Sequence, residues 1–249
     1  MTIADPLYAD WLHQQIRVKP DQLAVQDLSA ERCFTWQQLN DRVDALAHRL
    51  IHEGITQGDR IAYLGLNSSD VIEIFFAATR IGAIYVPLNF RLTASELTYI
   101  LGDCAPSAVF YDHAFKAVVE EIDAATMPHL TVETTLDGGD SAYEACLMTN
   151  AAALQAAPAN GDTQSMIMYS SGTTGKPKGV IYTRRMMLAS ALNLLQPSEA
   201  SPDTRALNVM PLFHIGGMQF VLMTMKFGIP YLMMKSFDPA AMLAAIGDV

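Results

Sequence analysis

Apolar positions recur along the chain with two alternating spacings. Leu39, Val43, Leu46, Ala47 and Leu50 fall on one face of a 3.6-residue repeat, and Thr35 with Gln38 makes a capping box in front of them. That combination predicts a helix beginning at Thr35. Residues 54–59 break it, and a short apolar run at 61–66 follows as a strand. Ser69 is placed to cap a second helix carrying Ile72, Phe75, Phe76 and Thr79 inward. A strand at 83–88 precedes a second capping box, Thr93 with Glu96, whose helix should end at Gly102. A strand at 108–111, a helix at 114–122 and a strand at 130–132 continue the alternation. Residues 136–162 differ, being rich in Gly, Ala and Asn, with one helix expected over 143–154 and a turn at 137–140. Strands at 166–169, 179–183, 206–210 and 231–234 then alternate with helices at 184–195, 218–226 and 239–246.

Strands alternating with amphipathic helices imply parallel strands joined by right-handed crossovers. Several runs are apolar throughout, as happens when helices cover both sheet faces. The fold class is therefore α/β, with mostly parallel sheets flanked by helices. Residues 1–135 make a first α/β portion, 136–163 a connection, and 164–249 a second portion. The last helix is not followed by the strand that would complete its crossover, so the fold is expected to be truncated before completion.

Composition narrows the function. Hydrophobic residues form 51% of the 249 and charged residues 17%, which fits a globular protein. A formal charge of −10 disfavours nucleic acid as a partner, because phosphate backbones reward a basic face. A nucleotide needs only a few local N–H groups and one or two cations, and so stays open. Cys33, Cys104 and Cys146 are odd in number and far apart, which suits reduced thiols in a cytoplasmic protein. No signal core opens the chain, and the longest apolar stretch, 220–234, is interrupted by Lys226, Gly228 and Pro230. The histidines outside position 214 lack zinc-type spacing and suit surface or capping roles.

The densest chemistry lies at Ser170-Ser171-Gly172-Thr173-Thr174-Gly175-Lys176-Pro177-Lys178-Gly179, between two apolar runs. Glycines let backbone N–H groups approach an anion, hydroxyls can donate to phosphoryl oxygens, and two lysines bring compact positive charge. Two residues, not four, separate Gly172 from Gly175, and Pro177 follows the lysine, so this is no Walker loop. A polar hairpin turn is the bland alternative, although such turns seldom gather this much Gly, hydroxyl and Lys together. A second stretch, Met210-Pro211-Leu212-Phe213-His214-Ile215-Gly216-Gly217, follows a strand and should lie at a carboxyl edge of a sheet. A lone His beside Phe is more often structural than catalytic.

From Tyr169 to Val180 the loop resembles the phosphate-loop signature of the adenylate-forming superfamily, which includes acyl- and aryl-CoA synthetases and peptide-synthetase adenylation domains. Phe34-Thr35-Trp36-Gln37-Gln38-Leu39, Gly58-Asp59-Arg60-Ile61-Ala62 and Asn67-Ser68 resemble further landmarks in the expected order. Pro87-Leu88-Asn89-Phe90-Arg91-Leu92 is similar to the version usual in acyl- and aryl-CoA synthetases. Thr183-Arg184 departs from the Thr-His common at that place, at a position expected to start a helix.

The resemblance implies an AMP-forming acid–thiol ligase that uses ATP, a carboxylic acid and coenzyme A. Ser170, Ser171, Gly172, Thr173, Thr174, Gly175, Lys176 and Lys178 would hold the ATP phosphates. Thr173 and Thr174 would help hold Mg2+. Phe213, His214, Gly216 and Gly217 would border the acid, with His214 near the reacting carboxylate and the two glycines leaving room for the acyl group. Residues 218–234 supply core methionines or additional pocket lining. The adenine, ribose and catalytic-lysine motifs of the superfamily are not found in these residues, so the chain is expected to be the N-terminal part of a longer enzyme, inactive alone. Fatty or other apolar acids are the expected substrates, and a homo-oligomer is compatible with this reading. Two alternatives remain: a short, non-catalytic protein that binds nucleotide or partners, and an adenylation domain for amino acids.

Overall fold

The structure is a computed structural model that describes residues 6–8, 10–135, 139, 141–147, 153–170, 176–201 and 203–247. The chain opens with α1 (Trp11–Ile16), β1 (Leu23–Asp27), β2 (Arg32–Thr35) and α2 (Trp36–His52). There follow β3 (Arg60–Leu64), α3 (Ser69–Arg80), β4 (Ile84–Leu88), α4 (Ala94–Cys104), β5 (Ala108–Asp112), α5 (Lys116–Glu120), β6 (Leu130–Thr134) and α6 (Ala142–Cys146). The remaining elements are β7 (Gln164–Ser170), β8 (Lys178–Thr183), α7 (Arg184–Ser198), β9 (Ala206–Asn208), α8 (Ile215–Phe227), β10 (Tyr231–Met233) and α9 (Pro239–Gly247).

Among the described residues the strands form two sheets, one of six in the order β6-β5-β3-β4-β7-β8 and one of four in the order β2-β1-β10-β9. Each sheet takes strands from before and after residues 136–163. The expected parallel pairing holds for most neighbours, with two exceptions: β2 runs antiparallel to β1, and β8 antiparallel to β7. β7 and β8 are consecutive antiparallel strands, and the chain that connects them lies within the phosphate-loop stretch.

Both predicted capping boxes form, Thr35 with Gln38 and Thr93 with Glu96. Leu39, Val43, Leu46, Ala47 and Leu50 of α2 are buried as their spacing required. Full burial of each large aliphatic side chain there is worth about 1.5–3 kcal/mol. Ser69 does not cap α3. It is the first helical residue, Ser68 takes the cap position without a side-chain bond, and all twelve residues of the helix are buried. The reason is that α3 lies between the sheets, touching β1 of one and β3 and β4 of the other. Helix α4 runs past Gly102 to Cys104, because Leu101 and Cys104 still face the core and Ala105 supplies the left-handed ending, at φ 41°. The predicted helix at 143–154 is only α6. Residues 148–152 and most of the predicted turn at 137–140 lie outside the described residues.

The six-stranded sheet shows its two faces by alternation. Ile61, Tyr63 and Tyr85 point into the core that holds α2 and α3, while Ala62, Leu64, Val86 and Leu88 point into a second core under α4. Charge ties the first core together. Arg80 of α3, with no exposed side-chain surface, donates to Asp10 at 2.8 Å, Asp44 at 2.8 Å and Asn40 at 2.9 Å. Asp10 is also the N-cap of α1, so one carboxylate serves a helix end and a buried guanidinium. No helix among the described residues is long and apolar enough to cross a membrane.

Candidate functional site

The carboxyl ends of β3, β4, β7 and β9 converge, and the side chains beyond them define the site. Asn67, just past β3, joins the two sheets. Its amide donates to the carbonyls of Met210 and Met234 at 2.9 and 3.1 Å, and its Oδ1 accepts from Leu212 N at 2.9 Å. Asn208 holds the same segment from the β9 side, bonding both the N–H and the carbonyl of Met210. The stretch 210–213 is thus fixed by backbone bonds from two directions, and Phe213 and His214 follow it.

His214 is the N-cap of α8, where its Nδ1 accepts the Gly216 N–H at 3.1 Å. An accepting Nδ1 places the proton of the neutral ring on Nε2. His214, Phe213, Ile215, Asn89, Met168, Tyr169, Ser170, Val180 and Tyr182 line an open cavity of about 310 Å³, the scale of a pocket for a small organic ligand. A smaller cavity of about 60 Å³ adjoins it between the 87–92 stretch and the hairpin, and shares Asn89, Tyr169, Ser170 and Phe213. Phe90 meets Phe213 edge-on at 5.1 Å, and the Arg91 guanidinium lies over both rings at 5.3 and 5.6 Å.

The structure brings part of the predicted site together. Ser170 ends β7, pairs with Lys178 across the hairpin and lines both cavities. Lys176 and Lys178 are exposed, with Lys176 Nζ 5.4 Å from the centre of the Tyr99 ring. Ser171, Gly172, Thr173, Thr174 and Gly175 lie outside the described residues, and with them the two threonines assigned to a metal. Among the described residues, no group of three or more His, Cys, Asp or Glu could hold a metal ion.

Gly216 and Gly217 lie in the first turn of α8. Neither lines a cavity described here. A Cβ on Gly217 would sit 2.3 Å from the Pro211 carbonyl oxygen, and one on Gly216 would sit 3.3 Å from His214 Nδ1. Their smallness lets α8 start against the 210–214 turn. Met218, Met223, Met225, Met233 and Met234 are core residues.

Asn67, Asn89 and Tyr169 had no assigned role. All three lie inside the landmark stretches, and only three-dimensional packing distinguishes them from their neighbours. Tyr169 donates a short hydrogen bond to Asp103 of α4. Burial, and then that bond, push its hydroxyl well above the usual tyrosine range, so it stays a donor. Arg184 does start α7, directly after its cap Thr183. It is buried and donates to the Thr79 carbonyl at 2.8 Å, and burial lowers its pKa.

The family pattern described as AMP-binding enzyme matches residues 12–249. The chain is 34% identical over 212 residues to an indoleacetate–CoA ligase of Aromatoleum aromaticum, covering 84% of this chain and 41% of that one. It is 34% identical over 227 residues to the long-chain-fatty-acid–CoA ligase FadD13 of Mycobacterium tuberculosis, covering 91% and 45%. The inhibitor-bound N-terminal domain of FACL13 from Mycobacterium tuberculosis superposes with a TM-score of 0.86 at 30% identity, covering 98% of this chain and 60% of that one. The chain spans less than half the length of these two curated relatives.

Proposed function

The chain belongs to the AMP-binding enzyme family, and on that premise we propose that it carries the acid-binding and phosphate-binding part of an AMP-forming acid–thiol ligase. The observation that carries this reading is the cavity of about 310 Å³ between the hairpin and the Phe213–His214 segment, walled by Met168, Val180, Tyr182 and Ile215 and reached by Ser170 and His214. A largely apolar wall with a few convergent polar groups suits a carboxylic acid with an apolar body.

In the proposed reaction a carboxylate oxygen attacks the α-phosphorus of ATP. The bond from that phosphorus to the bridging oxygen breaks, and pyrophosphate leaves with the electron pair. The thiol of coenzyme A then attacks the acyl carbon and loses its proton, and the carbon–oxygen bond to AMP breaks to give the thioester. Ser170 is proposed to donate to the leaving pyrophosphate and Lys176 and Lys178 to neutralise it, work that is mainly positioning and charge stabilisation. His214, with its proton on Nε2, can donate to the acid's carboxylate and orient it. Mg2+ accompanies the nucleotide, with Thr173 and Thr174 as its proposed contacts. Residues 1–135 and 164–249 are proposed as two α/β portions joined through 136–163.

Coenzyme A is favoured as acceptor over a peptide-synthetase carrier by the 87–92 stretch, whose residues border the smaller cavity. Fatty or other apolar acids are the favoured class, and the two curated relatives are named for an indole acid and for long-chain fatty acids. The reaction is proposed for an enzyme of the relatives' length. The 249-residue chain alone is expected to give no acid-dependent turnover.

The test is acid-dependent exchange of labelled pyrophosphate into ATP by the enzyme that carries this region, run across fatty, aryl-acetic and amino acids. Exchange with an apolar carboxylic acid, reduced at least tenfold by His214→Ala, is the expected result. Exchange with amino acids only would replace the reading with an amino-acid adenylation domain, and no exchange with any acid would leave a nucleotide-binding protein.

A further inference from the structure

Helix α4 runs beside the β7–β8 hairpin and presents two side chains one turn apart, Tyr99 and Asp103. Asp103 takes the hydroxyl of Tyr169, which lies on the strand entering the loop. Tyr99 takes the ammonium of Lys176, which lies on the side leaving it. One helix face therefore holds the hairpin on both sides of its turn, and the two holds differ in kind. A hydrogen bond to a carboxylate is short, directional and about twice as strong as a neutral one. A lysine over the ring of Tyr99, which is 36% exposed, is a weaker contact open to water. Phosphate oxygens offer an ammonium group charge and directed acceptors together, so they outcompete a ring face.

We propose that Tyr99 is the resting berth of Lys176: with no anion present the ammonium lies on the ring, and an arriving polyphosphate draws it from the ring onto phosphoryl oxygens. Asp103 meanwhile keeps Tyr169, a wall of both cavities, in place. The inference rests on the reading of Lys176 as a phosphate ligand. It makes Tyr99 a competitor of the phosphate and Asp103 a positioning residue, although the two share one helix face.

The experiment is NMR of the enzyme that carries this region, with labelled lysine, titrated first with inorganic pyrophosphate and then with Mg-ATP. The expected free-state spectrum has the ε-methylene of Lys176, assigned by its absence in Lys176→Met, shifted upfield by the ring. Pyrophosphate abolishes that shift. Tyr99→Leu removes the shift at the outset and tightens pyrophosphate binding by about two- to fivefold. The tightening disappears in the Lys176→Met background, and Asp103→Asn produces none. Thermal unfolding identifies any variant that has lost its fold, and for such a variant the parent's Lys176 resonance decides alone. An upfield shift that survives saturating pyrophosphate, or a folded Tyr99→Leu that binds no tighter than the parent, overturns the berth and leaves the functional reading standing. A parent that binds neither pyrophosphate nor Mg-ATP overturns both.

Discussion

Arg80 and Lys176 carry the same charge in opposite circumstances. Arg80 has no exposed side-chain surface, and two carboxylates and an amide oxygen take up its donors. Lys176 lies at the surface with one aromatic face beneath it. Lys178, two residues on, is exposed, and its ammonium has no hydrogen-bond or ion-pair partner among the described residues. A cation whose partners are built in contributes to the fold, since removing it leaves anions stranded in the core. A cation left poorly partnered is available to something that arrives later, and its removal costs the fold little. Buried and paired charge thus reports on architecture, and sparsely partnered charge at a cavity mouth reports on function.

The sharpest way to break this contrast is Arg80→Ala. With Asp10 and Asp44 left buried without their cation, unfolding in denaturant should show a loss of about 3–5 kcal/mol. A loss under 1 kcal/mol would mean that the cluster is not structural. The next effect comes from pH. Asp70 is buried beside Glu73 and pairs with Arg32, and burial, then the Glu73 charge, push it up to about 8 from an ordinary 3.8. The folded state therefore holds a proton that the unfolded state releases at lower pH. Stability from this group is fully present below about pH 4 and is lost as pH rises towards about 8. The slope is at most about 1.4 kcal/mol per pH unit, reduced by sharing of the proton with its neighbours. Denaturation from pH 5 to 8 should show a steeper decline in the parent than in Asp70→Asn, and parallel curves would discount the shift. Smallest of all, Lys176→Ala and Lys178→Ala should each change folding stability by less than about 0.5 kcal/mol, as measured by the same unfolding curves. A larger loss in either would erase the distinction between the two kinds of cation.

The same contrast explains what was legible in the sequence. Capping boxes and the α2 stripe depend on neighbours within four residues, and both appear as their spacing required. The hairpin β1–β2 was not legible, because its strands are short, mix polar with apolar residues, and have their parallel partner β10 some two hundred residues later. The sense of β8 was hidden for a related reason: a short strand with an apolar centre, here Val180 to Tyr182, looks alike whether it runs with its neighbour or against it. At the site, the loop and the Phe213–His214 pair carry residue types that advertise their chemistry. Asn67, Asn89 and Tyr169 do not, since an amide or a phenol acquires its meaning only from what the fold sets beside it. Gly217 is similar, because the need for its smallness, the Pro211 carbonyl 2.3 Å from where a Cβ would sit, comes only from the fold.

Asn67 has a consequence for how such a pocket can change over generations. It ties the 210–212 segment to the end of β3 with two hydrogen bonds and Met234 with a third, and lines none of the cavities described here. Under the proposed function, the lining at Met168, Tyr182 and Ile215 could therefore be exchanged to admit a different acid while the anchorage of the segment stays as it is. A lineage drifting between substrates would be free to vary the walls and held to one residue at the pin. Asn67 is thus the position at which heredity should be strictest, although it lines neither cavity.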